Sequence, residues 1–391
     1  MMYYLRGLSI VIDTVIVFTG SHRDFDNLLD EQINNDEERT PFMEVIQHYN
    51  ARIRPNETGV GEAILEQTLE AYNCIAYSDD YASVVPHVLS NFVNIVTLNY
   101  EIDRLFLHNP PRKVLQSIKS SPFVNDIKYY QSDYQVLSRE RLKLVYNDLS
   151  ENVLGQEDCK KKIIAELYRL INNSKGRPAV IMLYGPSGVG KTETAKSISN
   201  SLGGELLRIQ FSMMQTEEAV NYVFGSEHTK NSLAKDILNR ESNVILIDEF
   251  DKVNSVFYNA FYELFDEGKF SDSNYDVSLH NSIFILTSNF FSEEEIENKL
   301  GPAMFSRIAS CIKYEQLSRE IKELIINKFY DSIFMKLEQD ERELISETNI
   351  KQWFIDNADR YDNIRMLKNK MENAVYLKLA HNFIFTDKCY F

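Results

Sequence analysis

The clearest hydropathy signal in the chain is a set of short, near-continuous apolar runs that end on polar or charged residues: Ala179 to Tyr184, Val244 to Ile247 and Ser282 to Thr287. Runs of this kind fit parallel strands covered on both faces, because a strand with one face in water alternates apolar and polar positions. Leu207 to Phe211 fits as a further strand of the same sheet. Helical periodicity marks the segments around them: a charged amphipathic stretch from Ser138 to Glu151, a second from Cys159 to Ile171, and a helix beginning near Lys191. Strand and helix patterns in alternation predict an α/β layered sheet, a parallel sheet sandwiched by helices. From Leu317 the pattern becomes wholly helical, through Ile321 to Leu337 and Ile350 to Leu379, as expected of a small helical lid. Upstream, β-rich runs (Ser9 to Phe18, Phe92 to Leu98) mix with acidic, polar segments such as Asp24 to Thr40, without repeats, which predicts a separate α+β or α/β N-terminal domain. The expected division is therefore 1–140, 141–315 and 316–391.

Composition narrows this further. At 391 residues the chain exceeds one ordinary core, and 44% apolar with 26% charged residues is a globular balance. A formal charge of −16 argues against duplex binding, which needs clustered Lys and Arg, so nucleic acid is not an expected partner. Cys74, Cys159, Cys311 and Cys389 have no paired spacing, so reduced thiols in a cytoplasm are expected rather than a zinc site or disulfides. The run Leu8 to Phe18 is interrupted by Asp13 and Thr14 and is short of the roughly 20 residues that cross a bilayer. It reads as a buried strand, and no signal peptide or membrane segment is expected. The acidic run Asp24 to Arg39 reads most simply as a solvated helix or loop.

The candidate chemistry lies at the ends of two of the apolar runs. Gly185, Pro186, Ser187, Gly188, Val189, Gly190, Lys191 and Thr192 satisfy GxxxxGK[ST] between a predicted strand and a predicted helix. Glycines there let successive backbone N–H groups face a phosphate, the helix N-terminus adds its dipole, and Lys191 reaches the β- and γ-phosphates. Thr192 supplies a hydroxyl to Mg²⁺. The second run, Val244 to Ile247, ends on Asp248 and Glu249 where a strand meets the ligand crevice of an open α/β sheet. Asp248 suits Mg²⁺ held through water, and Glu249 suits polarising the attacking water. ATP and Mg²⁺ are the expected cofactors.

With these motifs in place, the chain resembles the Clp family of AAA+ proteins, particularly the C-terminal ATPase module of Clp disaggregases and unfoldases. The resemblance covers about 240 residues. Its pieces are Val153-Leu154-Gly155-Gln156, the glycine turn, Leu246-Ile-Asp-Glu-Phe-Asp-Lys-Val253 with Phe265-Asp-Glu-Gly-Lys-Phe-Ser-Asp272, Leu286-Thr-Ser-Asn289, and Pro302-Ala-Met-Phe-Ser-Arg-Ile308. It implies a P-loop AAA+ module with a helical lid. Val153, Leu154, Gly155 and Gln156 resemble the segment over the adenine, and Asn289 is similar to the residue that orients the lytic water. Arg307 resembles an arginine finger delivered to the neighbouring subunit's nucleotide, which implies a ring, most simply of six. In Tyr361-Asp-Asn-Ile-Arg-Met-Leu-Lys368, Arg365 matches the lid arginine, although the family's usual Gly-Ala before it is Asn363-Ile364 here.

One family feature is missing. Ala219, Val220, Val223, Phe224 and Gly225 match the flanks of the polypeptide-threading loop, yet no aromatic residue lies between Gly225 and Leu233. Tyr222 and Phe224 read as core, and His228 as a polar loop residue. Val96 to Glu101 is faintly similar to a strand-end motif of sirtuin-like NAD-consuming domains, but the Gly-Ala-Gly turn those domains need is not found upstream. Two functions remain: a ring-forming ATPase whose N-terminal domain recruits a specific protein partner for remodelling, or a nucleotide-controlled switch, for example in a defence system, without threading activity.

Overall fold

A computed structural model describes residues 12–53, 69–98, 100–172, 176–211, 217–226 and 231–386. The N-terminal part runs β1 (Ile12–Thr19), α1 (His22–Gln32), β2 (Arg39–Pro41), α2 (Phe42–Ile53), β3 (Leu69–Ala76), α3 (Pro86–Ser90), α4 (Phe92–Val96), β4 (Tyr100–His108), α5 (Arg112–Ser120) and β5 (Val124–Gln131). Its sheet has the order β2-β3-β4-β1-β5 with every pairing parallel, so this part is α/β. Successive residues of a strand point to opposite faces. Val15, Val17, Leu105 and Leu107 therefore enter the core shared with α2, α4 and α5, while Ile16, Phe18 and Phe106 meet Phe25, Leu28 and Leu29 of α1.

Two expectations change here. Phe92 to Leu98 was expected to be β-rich, but Phe92–Val96 is helix α4. Its Phe92, Val93, Ile95 and Val96 are buried and Asn94 is exposed, a helical spacing, and Phe92 stacks on Phe42 with ring centroids 5.2 Å apart. An apolar run this short fits either helix or strand, and packing decided it. The acidic segment is not simply solvated either: α1 begins at a Ser21 cap and buries Phe25, Leu28 and Leu29 beneath its charged face. The faint sirtuin-like similarity, set aside for want of its upstream turn, does not sit at a strand end: Tyr100 and Glu101 open β4, and Asn99 lies outside the described residues.

The central part runs α6 (Arg139–Asn152), α7 (Glu157–Ile171), β6 (Ala179–Tyr184), α8 (Lys191–Leu202), β7 (Leu207–Gln210), α9 (Glu217–Phe224), α10 (Leu233–Leu238), β8 (Val244–Asp248), α11 (Tyr258–Glu267), β9 (Lys269–Ser271), β10 (Asp276–Ser278), β11 (Ile283–Ser288), α12 (Glu293–Leu300), α13 (Pro302–Phe305) and β12 (Ser310–Lys313). A parallel sheet of order β12-β6-β11-β8-β7 forms its middle. Every residue of β6, β8 and β11 is buried. Ile181, Leu183, Leu246 and Ile285 pack against α6, α7 and α8, and Val180, Met182, Ile245, Ile247 and Phe284 pack against α9 to α13.

The lid comprises α14 (Arg319–Phe334), α15 (Gln339–Ser346), α16 (Ile350–Asp356) and α17 (Ile364–Thr386) around Ile326, Ile333, Leu367, Met371 and Val375. The single helical pattern from Ile350 to Leu379 is thus two helices. Asn357 ends the first by returning its side-chain amide to the Trp353 carbonyl, and Asn363 starts the second by accepting from the Arg365 N–H. Asparagine competes with the backbone in this way and so favours helix ends.

The C-terminal edge of the first sheet sits on the connection entering β8 and on the β9–β10 hairpin. Arg112 binds Asp276 through two bonds of 2.9 and 2.6 Å, Lys235 meets Asp79 at 2.5 Å, Arg23 meets Glu241 at 2.9 Å, and Asn109 donates to Asn239 at 2.7 Å. Cys74, Cys159 and Cys311 are unpaired thiols, and Cys389 lies outside the described residues. Among the described residues no helix is long and apolar enough to cross a membrane.

Leu246, buried at the centre of the doubly covered sheet, is the most direct probe of this arrangement. Leu246→Ala should lower the unfolding free energy by about 2–5 kcal/mol, the range for cavities in a tight core; urea titration followed by circular dichroism measures it.

Candidate active site: a phosphate crevice at the strand ends

The glycine turn follows β6 and closes on the first residue of α8. Gly185, Gly188 and Gly190 have φ of 130°, 79° and 107°, all in the region that side chains disfavour. Two of them are also needed for space: a Cβ on Gly185 would overlap the Tyr314 carbonyl, and one on Gly188 would overlap the side chain of Asn363. Pro186 is part-buried, Ser187 is exposed, and Val189 is buried beneath the turn.

Lys191 opens α8 with its side chain buried inside the turn. Its ammonium donates to the carbonyls of Gly185 (2.6 Å) and Pro186 (2.7 Å) and to Asn289 Oδ1 (3.3 Å). Burial lowers its pKa to about 8, while the charges of Asp248 and Asp251 pull the other way. A desolvated cation ringed by carbonyl dipoles, at a helix N-terminus and in a concave glycine turn, suits a phosphate chemically. The residues therefore fit ATP. Thr192 follows Lys191, half-buried, in the first turn of α8.

Asp248 closes β8. Its Oδ2 accepts from Arg208 Nε (3.0 Å) and Nη2 (2.5 Å), and its Oδ1 accepts from the Thr287 hydroxyl. Oδ2 is taken up by two bonds from Arg208, while Oδ1 keeps a second lone pair that can accept from the waters of a hydrated Mg²⁺, and direct ligation would compete with Arg208. Glu249 takes a left-handed conformation (φ 56°, ψ 46°) and its N–H donates to Thr287 Oγ1 at 3.0 Å. Thr287, one strand over on β11, thus joins both carboxylate residues through one hydroxyl. Left-handed backbone costs a non-glycine residue about 1 kcal/mol or more and concentrates at functional positions.

Asn289 follows β11, exposed, against Lys191. Val153 is buried beside Gly190, and Gly155 packs against Leu317 and Ile321 at the start of the lid. Gln156, at φ 61°, exchanges two hydrogen bonds with the Glu315 backbone, and half-buried Leu154 lies between them. The four residues thus bridge the glycine turn and the lid. Among the described residues the side chains of two arginines, Arg307 and Arg365, make no hydrogen bond to this group. Arg307 binds Asp266 (2.9 and 2.8 Å) and the Ala303 carbonyl (2.5 Å), with its guanidinium 4.3 Å from the centre of the Tyr262 ring. Arg365 is exposed in the first turn of α17.

Arg208, Asp251, Thr287 and Asn363 had no assigned role in the sequence reading. Arg208 is a lone cation inside an apolar run, and Asp251 follows the acidic pair by two residues, which are weak signals. Asp251 keeps one carboxylate oxygen buried without a partner among the described residues. Tyr222 is core, with its hydroxyl on Asp236 at 2.6 Å, while Phe224 is partly exposed beside Phe257. Residues 227–230 of the shortened loop, His228 included, lie outside the described residues.

Comparisons with known proteins point to the same fold. Residues 177–335 match the family model described as AAA domain (Cdc48 subfamily). The chain is 23% identical over 285 residues to chaperone protein ClpB of Malacoplasma penetrans, an alignment covering 65% of this chain and 40% of that protein. It is 26% identical over 274 residues to the ATP-dependent Clp protease ATP-binding subunit ClpL of Staphylococcus aureus, covering 63% and 39%. The fold is similar to that in a closed-state cryoEM reconstruction of Hsp104 with ATPγS and FITC casein, with a TM-score of 0.50 at 22% identity, covering 63% of this chain and 48% of that one. The chain spans less than half the length of each of these relatives. The family match over residues 177–335 and the Clp relatives, together with the glycine turn and strand-end carboxylates, support a Clp-type AAA+ ATPase module in the part of the chain they cover.

Proposed function

We propose that the chain hydrolyses ATP in the crevice beyond β6 and β8, within a ring of like subunits, and uses the cycle to remodel a specific protein partner recruited by residues 1–140. The observation that carries this reading is the convergence of the glycine turn, buried Lys191, Asn289 and the Asp248–Glu249 pair at one end of one sheet. ATP supplies the γ-phosphoryl group, and Mg²⁺ the charge that bridges its oxygens. Lys191 binds the phosphates, Thr192 and Asp248 hold the hydrated ion, Asn289 orients the attacking water and Glu249 accepts its proton. Val153, Leu154, Gly155 and Gln156 cover the base, and Arg365 faces the nucleotide from the lid.

Arg307 supports the ring. Its bonds go to Asp266 and Ala303 and its ring contact to Tyr262, not to the turn or the strand-end carboxylates of its own crevice. A guanidinium held this firmly on the surface is suited to a neighbour's nucleotide, and six subunits follow from the resemblance. The bonds from Asp79, Arg23 and Asn109 reach α10 and the connection into β8, whose far end carries Asp248. That continuity supports transmission between residues 1–140 and the nucleotide.

Lys191→Ala should abolish binding of a fluorescent ATP analogue, and Glu249→Gln should retain binding while accumulating the assembled form in sedimentation velocity. A Glu249→Gln protein that stays monomeric with saturating ATP would contradict the ring. Arg307→Ala should bind ATP normally yet lose about 10³-fold in turnover, the effect of removing a finger; steady-state phosphate release tests it. Because Lys191 is protonated below about pH 8 and neutral above, while a bound phosphate favours the ammonium, binding takes up a proton at higher pH. Affinity should therefore fall by up to about tenfold from about pH 7 to about pH 9, as read by calorimetry, and a flat profile would remove Lys191 as the counter-charge.

A further inference from the structure

Asn363, where the sequence departs from the family pattern in the lid, is also where the lid touches the phosphate turn. Asn363 precedes α17, and its carbonyl accepts from the Leu367 N–H at 3.1 Å, as an N-cap does. Its side-chain Oδ1 accepts from the Arg365 N–H at 2.9 Å, satisfying one of the helix's unpaired donors. The nitrogen of the same carboxamide donates to Ser187 Oγ at 3.1 Å, across 176 positions of chain. Beneath it lies Gly188, which has no Cβ and so lets the amide and the Ile364 N–H approach the turn. Ile364 is buried in the lid core, so the helix start cannot shift without moving that core. One side chain therefore uses its oxygen on the lid helix and its nitrogen on the glycine turn. Glycine or alanine at this position could do neither.

We propose that Asn363 is a positioning residue that clasps the lid to the phosphate turn and slows the departure of bound nucleotide. The inference rests on the nucleotide reading of the crevice. Nucleotide leaves when lid and turn separate, and separation must break the Asn363–Ser187 bond. The cap that Asn363 makes also sets the first turn of α17, which carries Arg365, so the clasp fixes that arginine's backbone relative to Ser187 and Gly188. Another polar tie of the lid to the central part, Lys328 to the Glu151 carbonyl at 2.8 Å, comes from α14 and not from the start of α17. Breaking the clasp therefore loosens the lid at the phosphate end specifically.

The test measures release of a fluorescent ADP from the full chain by stopped flow, chasing with unlabelled ADP. Serine is as good a helix cap as asparagine but is too short to reach Ser187. Asn363→Ser should therefore keep the wild-type unfolding midpoint and release ADP roughly threefold to tenfold faster, the effect of one lost hydrogen bond. Ser187→Ala, which leaves α17 untouched, should accelerate release similarly, and the double variant should be no faster than either single one. Wild-type release from both single variants, or effects that multiply in the double variant, would overturn the clasp. A wild-type chain that takes up no fluorescent ADP would overturn the nucleotide reading itself, a different outcome from binding that is unaltered by Asn363→Ser.

Discussion

Three parallel strands with both faces buried leave ionisable groups nowhere to go but the strand ends. In β6, β8 and β11 every side chain is covered, and the alternation of the strand sends one set to α6–α8 and the other to α9–α13. A charge within those strands would carry a desolvation cost of several kcal/mol. Polarity therefore collects at and just beyond their C-terminal ends, in the turn after β6, at Asp248, which closes β8, with Glu249 after it, and at Ser288 and Asn289 where β11 ends. The candidate crevice is a consequence of how the core is covered.

Within that crevice the polar groups hold one another in place. Thr287 ties Asp248 and Glu249 together from the adjacent strand, Arg208 neutralises Asp248 from the other side, and the Lys191 ammonium is kept in the turn by two carbonyls. These are short bonds in a partly dehydrated place, where charge interactions are stronger than in water. The left-handed turn at Glu249 is held by the same Thr287 hydroxyl. The Thr287 hydroxyl serves two of these groups at once, so its removal would take a partner from both Asp248 and the Glu249 N–H.

Much of this was legible along the chain. The apolar runs, the glycine turn and the acidic pair are local patterns, and local sterics, hydrogen bonding and burial explain each where it stands. Where reading failed, either a distant contact decided the outcome or the local signal was weak. Phe92 to Leu98 is an apolar run too short for its period to distinguish strand from helix, and packing of Phe92 on Phe42 made it helical. The acidic segment after β1 hid the buried face of α1 because three apolar residues among many charges carry a weak signal. The break at 357–363 depended on two asparagines whose capping bonds interrupt an otherwise continuous helical pattern.

What the order of residues determined alone is the existence of the strands, the phosphate turn and the carboxylates that follow the second apolar run, because these depend on neighbours within a few positions. The tertiary structure decided which distant side chains complete them. Arg208 and Thr287 reach Asp248 only because β7 and β11 flank β8 in the sheet, and Asn363 reaches Ser187 only because the lid folds back across 176 residues. No local pattern encodes such meetings, since they follow from sheet order and from the placement of one packed unit against another.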